Sequence, residues 1–125
     1  MTDLENAVLA YYVAGQAKEL TVAPRWYPHG ELILIIDDKM QVAVRKFGRK
    51  VRGATRAAAT AFLDHMIANG GWSSTKNDFG GSMHQYQSDT YPRVLAELRA
   101  GNPLIQEAEA AGDDFWETRF AQLAG

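Results

Sequence analysis

Six basic residues, Arg45, Lys46, Arg49, Lys50, Arg52 and Arg56, fall within twelve positions, and over the wider span 39–63 seven bases face no acid. Clustered like charge repels itself, so such a segment points to an anionic partner, of which a phosphate chain is the commonest. The side chains would supply charge. A helix beginning near Ala54 would aim backbone N–H groups and its positive dipole end at the same place. Gly53 would let an anion approach the backbone, and Thr55 adds a hydroxyl. Trp72, in a glycine- and serine-rich stretch, is an aromatic that could stack on a base or anchor a protein partner. The candidate contact set is therefore Arg45, Lys46, Arg49, Lys50, Arg52, Thr55, Arg56 and Trp72. The competing reading is a solvated strand end whose basic side chains deter edge pairing.

Other chemistry finds less support. Lys50-Val51-Arg52-Gly53-Ala54-Thr55 departs at both ends from the pyrophosphate loop of GNAT-type acetyl-coenzyme A transferases. No Gly-x-x-x-x-Gly-Lys-Ser/Thr phosphate loop occurs either. His29, His65 and His84 are scattered. Asp64 and His65 are adjacent on a predicted helix, where neighbours point about 100° apart and share no metal face. Asp37-Asp38 stands in a predicted tight turn, where paired aspartates usually bond their own backbone. With no cysteine there is no disulfide, thiolate zinc site or cysteine nucleophile. The sequence therefore predicts no metal, no cofactor and no catalytic residue. A histidine acid–base, His65 or His84, is the one enzymatic alternative.

Positioning these residues falls to a short series of elements. Residues 3–18 read as an amphipathic helix with Leu4, Val8, Tyr11 and Gly15 on one face and Thr2 or Asp3 as its cap. Pro24 and Pro28 keep residues 20–30 out of helix. The isoleucine-rich run 31–36 predicts a strand, Asp37–Met40 a turn, and the alternation over 41–47 a returning strand. Gly48 and Gly53 bracket a basic loop. An alanine-rich helix over about 54–69 follows, with Ala58, Phe62 and Met66 on one stripe and Ala59 and Leu63 beside it, and Asn69-Gly70-Gly71 ends it. Residues 72–89 read as a loop or weak hairpin turning at Gly80-Gly81. Thr90 starts a helix over 91–100 and Asn102-Pro103 another, which Gly112 interrupts. Asp114 and Glu117 make a capping pattern for a last helix with Trp116, Phe120 and Leu123 on one face. The predicted fold is a single α+β domain over 1–125. It has a small antiparallel sheet, a hairpin at about 31–47 plus one or two further strands, packed against helices, and a helical C-terminal third.

The whole chain sets broad limits. Its 125 residues suffice for one core, and its N-terminus carries acids where a secretory signal would carry lysines. No stretch approaches the roughly 20 apolar residues that span a bilayer, so the expectation is a cytoplasmic protein with no membrane partner. The formal net charge of −2 conceals an asymmetry, because residues 97–125 hold six acids against Arg99 and Arg119. Opposed basic and acidic segments, with the Trp116 stripe, make a homodimer a further expectation.

These observations lead to a non-enzymatic binding protein that contacts nucleic acid or a nucleic-acid-handling protein complex. The alternative is a protein–protein inhibitor or adaptor. Gly70-Gly71-Trp72 followed by Gly80-Gly81 is similar, over about a dozen residues, to the glycine-flanked aromatic segment of plasmid antirestriction proteins. That similarity implies a phage or plasmid counter-defence protein, antirestriction or anti-CRISPR-like, as one form of the inhibitor.

Overall fold

Five helices and one short antiparallel ribbon make up the described residues, which in this computed structural model are 1–18, 46–76, 82–86 and 89–124. Helix α1 spans Asp3–Lys18. A reciprocal capping box fixes its start: the Thr2 amide donates to the Glu5 carboxylate (2.8 Å) and the Glu5 amide donates to the Thr2 hydroxyl (3.1 Å). Those bonds hold the Glu5 carboxyl below its ordinary range. Ala7, Val8, Leu9, Ala10, Tyr12 and Val13 are all buried. Four successive buried positions cover every side of a helix, so α1 is a central rod rather than the amphipathic surface helix expected from Leu4, Val8, Tyr11 and Gly15. Leu4 and Tyr11 are half-buried and Gly15 is exposed.

Helix α2 spans Arg49–Ala68. It starts five residues before the expected helix, because Val51 extends the buried stripe of Ala54, Ala58 and Phe62 back by one turn. Arginine and lysine are good helix formers, so the basic segment folds into the first turns instead of forming a loop. Gly48 begins it with a φ of 94°, a conformation that favours glycine. Phe62 packs edge-on against Tyr12 of α1, with ring centroids 4.8 Å apart. At the other end the Gly70 amide bonds the Ile67 carbonyl (3.3 Å) and the Gly71 amide the Met66 carbonyl (2.8 Å), a Schellman ending with Gly70 at φ 79°.

Strands β1 (Trp72–Lys76) and β2 (Ser82–Tyr86) pair antiparallel, Trp72 opposite Tyr86 and Lys76 opposite Ser82. Helix α3 (Tyr91–Ala100) buries Tyr91, Val94 and Leu95. The Thr90 hydroxyl, from which a side-chain cap of α3 is expected, instead donates to the Gly70 carbonyl and ties the two turns together. Helix α4 (Pro103–Ala111) is capped by Asn102, whose side-chain oxygen accepts from the Leu104 amide (3.1 Å). Helix α5 (Phe115–Ala124) closes the chain. Arg99–Glu109 and Arg119–Glu107 ion pairs lace α3 to α4 and α4 to α5.

This architecture overturns the α+β expectation. The buried apolar cluster of residues whose burial is described is drawn from all five helices, with α1 at its centre. Two five-residue strands are too few to build a core by themselves. The expected strand over 41–47 fails where it is described, since Lys46 and Phe47 are helical. The strand 31–36 and the rest of that hairpin lie outside the described residues. Phe62 is buried as expected, and among the described residues its ring packs against Tyr12 of α1.

Candidate functional site

The basic segment stands at the N-terminus of α2. Its first intrahelical bond runs from the Arg52 amide to the Gly48 carbonyl (3.1 Å), so the amides of Arg49, Lys50 and Val51 have no acceptor within the helix. No side chain caps this end and no acid stands in the first turn. Arg49, Lys50, Arg52 and Arg56 are exposed around it. On a helical projection Arg49, Arg52 and Arg56 (i, i+3, i+7) form one stripe about 10 Å long. Chemically, this is a cluster of guanidinium forks and backbone donors beside the positive end of a helix dipole, suited to anionic oxygens. Along the same exposed side, Gly53, Ala57, Thr60 and Ala61 leave a shallow open strip between Arg56 and Asp64.

Two expected members have other roles. The Thr55 hydroxyl donates to the Arg52 carbonyl (2.6 Å), so its proton is not offered to an anion. Lys46 forms an ion pair with Glu117 of α5 and lies over the Phe47 ring, 5.9 Å from its centroid. The Glu117 carboxylate holds the Lys46 ammonium above the ordinary lysine range. Arg45 lies outside the described residues, and Trp72 opens β1 at the end remote from the basic turn of α2.

An aromatic cluster holds the approach to α2. Phe47 packs on Phe120 (4.7 Å between centroids) and on Tyr11 (6.2 Å), and Tyr11 meets Trp116 at 5.3 Å. Burial pushes the Tyr11 hydroxyl up. Of the stripe Trp116, Phe120 and Leu123, which entered the homodimer expectation, Phe120 is buried and Trp116 and Leu123 pack partly buried against the core. Four of the six acids of the C-terminal segment are also engaged within the chain: Glu97 with Arg93, Glu107 with Arg119, Glu109 with Arg99 and Glu117 with Lys46. Glu117 was missed as part of the basic site, because the sequence suggested only a capping role. The one available signal was the charge asymmetry between the two segments.

The histidines do not assemble a site. The Nε2 of His65 is buried without a hydrogen-bond partner among the described residues. His84 stands opposite Ser74 in the ribbon, and His29 and Asp37-Asp38 lie outside the described residues. Among the described residues no group of three or more His, Asp or Glu gathers as metal ligands, and no helix is long and apolar enough to cross a membrane.

No family model, curated protein or solved structure matches this chain. The functional reading therefore rests on the chain's own geometry.

Proposed function

We propose that this chain is a non-enzymatic binding protein whose α2 N-terminus contacts the phosphates of nucleic acid, alone or within a nucleic-acid-handling complex. The observation that carries the reading is the cluster of exposed Arg49, Lys50 and Arg52 on a helix start with no side-chain cap and no first-turn acid, with Arg56 two turns further along the same stripe. Arg49, Lys50 and Arg52, held close together on a rigid helix, repel one another, and an anion beside them relieves that repulsion while taking hydrogen bonds from the helix end. Helix placement also fixes the spacing of the side chains, which a loop would leave variable. Phosphate contact of this kind positions a protein on nucleic acid without reading its sequence.

Gel retardation of labelled duplex and single-stranded DNA and RNA at low salt tests the proposal. Retardation that is lost when Arg49, Lys50 and Arg52 are replaced by alanine supports it. No retardation of any of these by the wild-type protein defeats direct contact. A polypeptide partner that survives nuclease treatment in a pull-down would then favour the inhibitor or adaptor.

A further inference from the structure

We infer that Glu117 is an internal competitor for the basic site, its carboxylate holding Lys46 away from a bound anion. This inference rests on reading the α2 N-terminus as an anion site. Lys46 stands two residues before Gly48, where α2 begins, so its side chain leaves the backbone at the edge of the basic turn. Its ammonium is instead paired with Glu117 on α5. Among the four ion pairs of the C-terminal segment, that of Glu117 reaches the basic segment, whereas Glu97, Glu107 and Glu109 pair with arginines of α3 and α5. A carboxylate on Lys46 is the same kind of ligand as a phosphate oxygen, a charged acceptor of ammonium hydrogen bonds.

The pair is built to open. Both side chains are more than half exposed, at 61% and 51%, and exposed lysine–carboxylate pairs hold weakly against water and salt. The neighbouring backbone is not similarly free, because the Phe47 ring is held against Phe120 and Tyr11. Once freed of Glu117, the lysine's flexible four-carbon stem can swing to a phosphate at the basic turn with no movement of the helices.

Glu117→Gln removes the charge and keeps the shape. On duplex DNA the expected result is tighter binding at low salt and a steeper salt dependence, with the slope of log K against log salt growing by about 0.9, one added phosphate contact. Lys46→Ala alone should leave the wild-type slope nearly unchanged, and should abolish the gain when combined with Glu117→Gln. Circular dichroism and melting of each variant verify the fold, which an exposed pair should not disturb. Wild-type and Glu117→Gln proteins that bind with the same slope overturn the inference and leave the anion site standing. A gain that persists in Lys46→Ala/Glu117→Gln overturns it too, because general repulsion by Glu117 then suffices. Wild-type protein that binds no nucleic acid removes the underlying reading, and the inference with it.

Discussion

Replacing Phe62 by alanine tests the helix-on-helix core at its centre. The Phe62 side chain is fully buried in α2 and meets Tyr12 of α1 edge to face at 4.8 Å. Removing a buried phenylalanine forfeits its transfer free energy and leaves a cavity that the neighbours fill only in part, together costing about 3–5 kcal/mol. The lost edge-to-face pair contributes about 0.5–1.5 kcal/mol of that total. Domain stabilities are commonly about 5–15 kcal/mol, so the variant should remain folded at 25 °C with a much lower denaturant midpoint. For a chain of this size each kcal/mol moves the melting temperature by roughly 3–5 °C, so a fall of about 10–20 °C is expected. Urea unfolding followed by circular dichroism measures the change. Thr60→Ala, at an exposed position of the same helix, is the control and should stay within about 0.5 kcal/mol of wild type. A Tyr12/Phe62 double-mutant cycle should give a coupling of about 0.5–1.5 kcal/mol. A Phe62→Ala protein no less stable than Thr60→Ala would refute the pairing of α1 with α2.

Two further outcomes follow from the helix ends. A Cβ added at Gly71 would stand 2.7 Å from the Met66 Cε and 3.3 Å from the Val94 Cβ, so Gly71→Ala should cost about 1–3 kcal/mol through overpacking of the α2–α3 junction, read from denaturant midpoints. Glu5, whose carboxyl is held low by its capping bonds, stabilises the fold above the ordinary glutamate range, and that contribution is lost as pH falls through its lowered value. The melting-temperature advantage of wild type over Glu5→Gln should therefore shrink as the pH is lowered from 6 to about 3.

Much of the helical C-terminal half was legible, because punctuation there is chemical. Asn102-Pro103 marks a cap and a first helical residue, and Asn69-Gly70-Gly71 supplies the left-handed glycine that a Schellman ending needs. The start of α2 was not legible in the same way. Gly48, Gly53 and a run of like charge resemble a loop, although Val51 three residues before Ala54 already continues the buried stripe. The central place of α1 was obscured by choosing one face of a helix that is apolar on all sides. Of the strand read from alternation over 41–47, Lys46 and Phe47 turn out helical under tertiary contacts with Tyr11, Glu117 and Phe120. Of the candidate site, the cations were legible as a cluster. The Lys46–Glu117 pair was not, since local pattern carries no information on partners so far apart in the chain.

The salt dependence of nucleic-acid binding tests the central claim most directly. Fluorescence anisotropy with a labelled duplex, over salt from about 25 to 250 mM, gives the slope of log K against log salt for wild type and for Arg49→Ala/Lys50→Ala/Arg52→Ala. Each duplex phosphate contact adds about 0.9 to that slope, so the triple variant should bind more weakly, with a slope flatter by about 2–3. Equal slopes for the two proteins, or no binding by wild type at the lowest salt, would contradict the assignment of the α2 N-terminus as a phosphate-binding surface.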